Sequence, residues 1–310
     1  MDMYQKRKLR KEKKENVVVD KIEERKTNIN WYPGHMAKTK RLISEMRDLI
    51  DVVYEVVDAR IPYSSKLKEI DELIYNKPKI IVMTKMDLCD KYETKKWMNY
   101  YEKQGSKVIG VDLENNFNMN GLINLTKELM NERNEKRTNK GLSIRKTRVL
   151  IIGVPNAGKS TLINRLVGKK TVNTGNKPGV TKSLSWIRIS SDLELLDSPG
   201  ILWPKLDEGN IGFNLASFTA IKEEILPLDH VAAYILKNLS LYYPNILKER
   251  FGIEEYDEEE IIEAYDIIGK KRGCLIKGGE VDYDKVINII INDVKNGAIK
   301  NITFDRFLND

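Results

Sequence analysis

Eight residues near the middle of the chain have the composition of a phosphate-binding loop. Residues 153–160 (GVPNAGKS) fit the pattern G-x-x-x-x-G-K-[ST], after the β-branched run RVLII and before a helical pattern. In such a loop the backbone N–H groups face the phosphates, and the N-terminus of the helix adds positive potential. The pattern assigns Lys159 to the β- and γ-phosphates and the Ser160 hydroxyl to Mg²⁺. The nucleotide contacts expected from this region are Asn156, Ala157, Gly158, Lys159, Ser160 and Thr161.

Two further segments carry residues that can sense a γ-phosphate. Residues 197–200 (DSPG) end an apolar strand about 40 residues after the loop, so Asp197 can hold Mg²⁺ through water and the Gly200 N–H can meet the γ-phosphate. Between them, residues 173–182 (NTGNKPGVTK) form a loop in which Thr181 can ligate Mg²⁺ when the γ-phosphate is present. The alternative for Thr181 is a simple turn residue.

A base-reading segment, Thr84-Lys85-Met86-Asp87, follows the run IIVM and resembles the Asn-Lys-x-Asp element of GTPases. The Asp87 carboxylate can accept from both N1–H and the exocyclic amine of guanine, which adenine does not offer, and the Lys85 stem can pack on the base or ribose. Thr84 keeps a hydroxyl but lacks the usual amide, which predicts weaker contact with the phosphate loop. The alternative is an ATP-using enzyme, and the presence of Asp87 argues against it.

The elements that must position these residues alternate along the first two thirds of the chain. β-branched runs at 51–58, 80–83, 107–111 and 148–152 and an apolar run at 193–196 alternate with helical patterns at 36–50, 66–76, 92–104 and 122–135. Alternating strands and helices indicate βαβ units and a mainly parallel sheet. After Trp203-Pro204 the patterns are helical (211–220, 230–240, 258–268 and 282–296). We predict a basic arm (1–30), an α/β domain (31–204) and a smaller all-helical domain (205–310).

The order of the segments is unusual, because the base-reading segment precedes the phosphate loop by about 70 residues. One parallel sheet can still bring them together, since sites form at the carboxyl ends of strands whatever the chain order. The pattern therefore predicts a circularly permuted P-loop GTPase domain. Gly200 would lead through residues 201–205 into the helical domain, so that loss of the γ-phosphate would reorient that domain.

Several motifs in this permuted order resemble the YlqF/RbgA family of ribosome-assembly GTPases. They are WYPGHMAK (31–38), VDARIP (57–62), DSPGILWPK (197–205) and GKKRGCLIKGG (269–279). The resemblance runs from about Trp31 to near the C-terminus. It implies a GTPase that binds precursors of the large ribosomal subunit in late assembly, with a helical domain that contacts ribosomal RNA. Residues 110–113 (GVDL) depart from the Ser-rich base loop of the family, which argues against contact between that loop and guanine O6.

Catalysis needs a group that orients the attacking water, and Ile201 stands where many GTPases have Gln. The resemblance implies that His35 replaces it, acting with Lys159, Thr181 and Gly200, because an imidazole can orient or accept from water at neutral pH. The alternative is that His35 only caps a helix. The resemblance also implies that Asn156 helps to hold K⁺ beside the phosphates; the alternative is a residue that stabilises the loop turn.

Charge points to a polyanionic partner, because the 310 residues have a net charge of +7. Residues 6–14 (KRKLRKEKK) are either a phosphate-contacting arm or a solvated tail. In the helical domain, we interpret four cations as a patch that binds RNA phosphates rather than as part of a solvated loop: Lys270, Lys271, Arg272 and Lys277.

The remaining composition excludes other classes. No apolar run reaches the ~20 residues of a bilayer span, the N-terminus continues into charge, and two cysteines make no disulfide framework, so we expect a cytoplasmic protein. A second functional class is an RNA-binding scaffold whose nucleotide site senses GTP but barely hydrolyses it. Ile201 and Thr84 favour that alternative, whereas Lys159, Ser160 and Asp197 oppose it.

Overall fold

The computed structural model describes residues 34–67, 70–75, 77–172, 185–200, 210–218 and 226–307. The strands are β1 Val52–Asp58, β2 Lys79–Thr84, β3 Lys107–Gly110, β4 Thr147–Gly153, β5 Ser185–Arg188 and β6 Leu193–Asp197. The helices are α1 Gly34–Met46, α2 Ile70–Ile74, α3 Lys91–Lys103, α4 Met119–Asn139, α5 Lys159–Val167, α6 Ile211–Phe218, α7 Leu228–Tyr242, α8 Pro244–Phe251, α9 Ile261–Arg272 and α10 Tyr283–Lys295.

The strands form one six-stranded sheet in the order β3-β2-β1-β4-β6-β5. Every neighbouring pair is parallel except β5–β6. From β1 the chain winds outward through β2 and β3, whereas from β4 it crosses to β5 at the opposite edge and returns through β6, which lies between β4 and β5. The direction therefore reverses between β1 and β4, and in such sheets ligands bind in the crevice at this point. The predicted circularly permuted α/β fold is confirmed.

In the sheet unit, two local predictions differ from the structure. Of the residues described within 66–76, where a helix was expected, Ile70–Ile74 form α2, whereas the Leu67 N–H donates to the buried carboxylate of Glu55 at 2.7 Å and Leu67 is not helical. Strand β5 has no counterpart among the predicted strands, because only Ile187 of its four residues is buried and the strand lies at the sheet edge.

The contacts divide the chain into two units. The sheet unit contains the described residues of 34–218 and, in addition, 300–307, whereas the helical unit contains Leu226–Ile299. The composition predicted one boundary near residue 205, but α6 and residues 300–307 group with the sheet. The chain therefore enters the helical unit and then returns to the sheet unit.

Each unit has its own core. In the sheet unit, one buried cluster joins β1, β2 and α3 through Val57, Ala59, Ile81, Met83, Cys89, Trp97 and Tyr101. In the helical unit, α10 begins where the Asp282 carboxylate accepts from the Lys285 N–H at 3.1 Å, and its buried face is formed by Val286, Ile287, Ile290, Ile291 and Val294. Among the residues that the structure describes, no helix has the length and apolar character that crossing a bilayer would require.

Candidate nucleotide site

The parallel strands bring the sequence-predicted segments to one edge of the sheet. The register pairs Asp58 with Thr84, Val56 with Gly153, and Ile151 with Asp197. The carboxyl ends of β2, β1, β4 and β6 therefore meet at the same edge. The base-reading turn, the phosphate loop and the residues that follow β6 extend from that edge.

The phosphate loop connects β4 to α5 with a backbone that approaches β1 closely. A Cβ at Gly153 would lie 2.3 Å from the carbonyl O of Val56, so no side chain fits there. Asn156 (φ 60°) and Gly158 (φ 92°) are in the left-handed region, which turns the chain sharply into the helix. The first N–H groups of α5 have no acceptor within the helix and are free to bind anions. Ser160 and Thr161 lie in this first turn.

Lys159 is held inside the loop. Its Nζ donates to the carbonyl oxygens of Gly153 (3.0 Å) and Val154 (2.8 Å). An ammonium has three donors, so these two carbonyls leave one for a phosphate oxygen. Burial lowers the pKa of Lys159 to about 8, and the negative charge of Asp197 opposes that shift. A bound phosphate would stabilise the charged form further.

The end of β6 and the residues that follow it, from Asp197 to Gly200, lie beside the phosphate loop. Asp197 is 1% exposed. A Cβ at Gly200 would lie 2.8 Å from the nitrogen of Pro155 and 2.9 Å from its Cα, so only glycine permits this approach. The Ser160 hydroxyl and the Asp197 carboxylate are hard oxygen donors of the kind that Mg²⁺ prefers. This donor set suits the metal that the sequence predicted.

Thr84 bonds directly to the phosphate loop. Its fully buried hydroxyl lies 2.6 Å from the carbonyl O of Ala157, to which it donates, and 3.2 Å from that of Val57. The sequence predicted weaker contact here because the usual amide is missing. The shorter side chain of Thr84 nevertheless joins the end of β2 to the phosphate loop.

Lys85 belongs to a buried ionic cluster with Asp58 and Arg60. The sequence did not predict this cluster. Lys85 has a left-handed backbone (φ 59°), and its Nζ donates to Asp58 Oδ2 at 2.7 Å. Arg60 Nε and Nη2 donate to the two oxygens of the same carboxylate at 3.0 and 2.9 Å. Burial alone would raise the pKa of Asp58, but the charges and hydrogen bonds of Arg60 and Lys85 outweigh it and the pKa falls below its usual range. The acid and the arginine at the end of β1, in VDAR, were the available signal.

Asp87 lies half-buried in the turn after β2. Burial raises its pKa, the carboxylates of Asp112 and Glu114 add to the rise, and the charge of Lys300 opposes it. The loop after β3 borders this turn, because a Cβ at Gly110 would lie 3.1 Å from the Met86 side chain. Thr84, Lys85, Met86 and Asp87 therefore form one wall of the candidate base site.

The departure at residues 110–113 has a structural explanation. Asp112 Oδ1 accepts from the N–H groups of Glu114 (2.9 Å) and Asn115 (3.1 Å), so this carboxylate stabilises its own turn. Leu113 is buried, and its Cδ1 would be 3.3 Å from a Cβ on Gly158. The loop thus reaches the phosphate loop through an apolar side chain.

Several predicted residues are described only in part or lie outside the described ranges. His35 falls in the first turn of α1, but its side chain is not described. Thr181, Ile201 with the segment that follows it, and the basic arm at 6–14 are outside the described ranges as well.

The predicted RNA patch lies in the helical unit. Lys271 Nζ donates to the carbonyl O of Glu249 at 2.8 Å, and Arg272 Nη1 lies 3.3 Å from Asp293 Oδ2. Lys270 and Lys277 are exposed. Two of the four cations therefore also serve contacts within the unit.

Comparison with known proteins extends these observations. A family model described as a 50S ribosome-binding GTPase matches residues 148–266. The chain is 45% identical over 278 residues to ribosome biogenesis GTPase A of Priestia megaterium, covering 89% of this chain and 96% of that protein. It is 31% identical to the Thermotoga maritima protein of the same description over 90% of this chain and 94% of that one. A structure of GNP-bound YlqF from T. maritima is similar with a TM-score of 0.58 and 28% identity, covering 87% of this chain and 98% of that one.

Proposed function

Because the chain belongs to the ribosome biogenesis GTPase A (YlqF/RbgA) family and is a GTPase of ribosome biogenesis, we propose that it acts on precursors of the large ribosomal subunit. It binds these particles in its GTP state, in the cytoplasm, and hydrolysis releases it. The description of the matching family model, a 50S ribosome-binding GTPase, and the net charge of +7 support this partner.

The observation that carries the nucleotide part of the proposal is the bond between Thr84 and Ala157, which lie 73 residues apart. It ties the strand that leads to Asp87 to the loop that leads to Lys159. This bond supports a single site in which the Asp87 carboxylate binds guanine and Lys159 binds the phosphates. A nucleotide whose base is guanine suits both halves of it.

Each residue of this site has a distinct role in the proposal. Asp87 accepts from the guanine edge, Lys159 binds the β- and γ-phosphates, and the Gly200 N–H meets the γ-phosphate. When bound, Mg²⁺ would neutralise charge on the phosphates, held by the Ser160 hydroxyl, by Asp197 through water and by Thr181. Asn156, which has a left-handed backbone conformation, would help to hold a K⁺ ion beside the phosphates. His35 orients the attacking water.

The helical unit contributes the RNA contact. Lys270 and Lys277 are exposed and positively charged, so they meet RNA phosphates directly. Lys271 and Arg272 add positive potential while they hold the end of α9 in place.

Steady-state GTP hydrolysis, in potassium or sodium buffer and with or without purified large subunits, tests the proposal. We expect slow turnover alone, strong stimulation by the subunits, and a lower rate in sodium. Removing Mg²⁺ with a chelator should abolish turnover. His35→Ala should lose most of the stimulated rate and still bind GTP. Bound GTP without any stimulation would instead favour an RNA-binding scaffold.

A further inference from the structure

Residues 300–307, which we call the C-terminal strap, are built into the sheet unit although they follow the helical unit. Ile302 and Thr303 are fully buried, and Phe304 and Asp305 are nearly so. The strap leaves the helical unit immediately after Ile299. It is therefore a structural part of the unit that carries the nucleotide site.

One side of the strap binds the turn that carries Asp87. The Ile302 N–H donates to the carbonyl O of Leu88 at 3.3 Å, one residue after Asp87. The Thr303 hydroxyl oxygen accepts from the Asp90 N–H at 3.1 Å. Because Asp90 also caps the N-terminus of α3, these bonds fix the base-reading turn at its exit.

Another part of the strap binds the turn that follows β1. The Phe304 N–H donates to the carbonyl O of Arg60 at 2.9 Å, and Thr303 Oγ1 is 3.4 Å from that of Ala59. Phe304 packs on Phe218 with ring centroids 4.8 Å apart. The Arg60 guanidinium lies 4.6 Å from the centre of the Phe218 ring. Arg60 in turn holds Asp58, the acid that binds Lys85.

Asp305 fastens the same turn. Its Oδ2 accepts from the N–H groups of Tyr63 (2.8 Å) and Ser64 (2.7 Å). Its Oδ1 accepts from the Ser64 hydroxyl and from Asn214 of α6, both at 2.7 Å. With so many donors converging on one buried carboxylate, the strap has a single well-defined seat.

We propose that the C-terminal strap is a positioning element of the guanine site, with Thr303 at its centre, and that it holds Lys85 and Asp87 where they bind the base. The strap touches the turn that carries Asp87 and the cluster that anchors Lys85, so its displacement loosens both. This inference rests on the proposed base-reading role of Asp87. By thermodynamic reciprocity, guanine nucleotide stabilises the seated strap.

The ratio of the dissociation constants for IDP and GDP tests the proposal, because inosine lacks only the 2-amino group that Asp87 binds. Thr303→Val removes the hydroxyl with little change in volume, and we expect the ratio to fall about fivefold, the scale of one lost hydrogen bond. Thr303→Ser should restore it. Thr126→Val is the matched control, because this buried threonine bonds Tyr54 and Leu122 in the same unit. A wild-type ratio in Thr303→Val would overturn the proposal.

Asp87→Asn separates this proposal from the one on which it rests. If Asp87→Asn leaves the ratio unchanged, the base-reading role is wrong and the strap has nothing to position. If Asp87→Asn lowers the ratio to about one while Thr303→Val does not change it, only the strap proposal fails.

Hydrogen exchange of the wild-type chain covers the case in which Thr303→Val does not fold. GDP should slow exchange of the Ile302 and Phe304 amides about fivefold or more, because they donate to Leu88 and Arg60. Amides within α10, in the helical unit, provide the reference. Equal exchange of the strap amides with and without GDP would contradict the coupling.

Discussion

The Thr84 hydroxyl donates a 2.6 Å hydrogen bond to the carbonyl O of Ala157 and so joins the end of β2 to the phosphate loop. Both atoms are in fully buried residues, so water cannot replace the bond. We expect Thr84→Val to leave the carbonyl unpaired and to lower GDP affinity about tenfold, equivalent to about 1.4 kcal/mol. Titration with a fluorescent GDP measures this. Thr126→Val should bind GDP as the wild type does.

Asp87→Asn should change which base is bound. The Asn amide donates a hydrogen bond where the Asp carboxylate accepted one. The variant therefore loses the hydrogen bond from the exocyclic amine of guanine and gains one to the 2-carbonyl of xanthine. We expect GDP to bind at least about tenfold more weakly and XDP to bind more tightly than it does to the wild type. Competition between the two diphosphates gives both constants, and retained preference for GDP would contradict the assignment.

Gly200→Ala should separate the two nucleotide states. The new Cβ would lie 2.8 Å from the nitrogen of Pro155, so the backbone must move away from the phosphate loop. We expect GDP to bind almost normally, whereas a non-hydrolysable GTP analogue loses about tenfold or more in affinity because the Gly200 N–H no longer reaches the γ-phosphate. Isothermal titration of each nucleotide checks this, and an equal loss for both would contradict the role.

Asp58→Asn should destabilise the sheet unit strongly. Arg60 is fully buried, and removing its counter-charge leaves a cation without compensation, which costs about 3 to 5 kcal/mol of unfolding free energy. Because the folded pKa of Asp58 is below its unfolded value, its stabilisation is present above about pH 4 and is lost as the pH falls through the folded pKa. Denaturant unfolding at pH 7 measures the first effect, and its dependence between pH 5 and pH 2 measures the second. The mutant should lose less stability than the wild type over this range.

The two cysteines should react slowly, and one should report on the base-reading turn. Burial raises the pKa of the Cys89 thiol to about 11, so it stays protonated and poorly nucleophilic at pH 8. Burial also raises the pKa of Cys274, which lies in the helical unit. We expect GDP to slow alkylation of Cys89, which contacts the carbonyl O of Met86, and to leave Cys274 unchanged. Peptide mass spectrometry of timed samples distinguishes the two sites.

The sequence by itself determined the local features of this protein. Runs rich in β-branched residues place β1, β2, β3 and β4, and an apolar run places β6, because such runs are typical of strands that a sheet buries. The phosphate loop was also readable, since its glycines, Lys159 and Ser160 act within eight consecutive residues. The reversed order of the base-reading segment was enough to predict the permuted sheet.

Only the tertiary structure decided the features that depend on distant partners. The edge strand β5 takes its conformation from pairing with β6, and the strap, with the sequence KNITFDRF, has no periodic pattern that links it to the sheet unit. The bond from Thr84 to Ala157 and the ion pair of Lys85 with Asp58 likewise join residues far apart in the chain. The physical reason is that hydrogen bonds and ion pairs of buried groups form wherever folding brings a partner within reach, and sequence spacing does not record that distance.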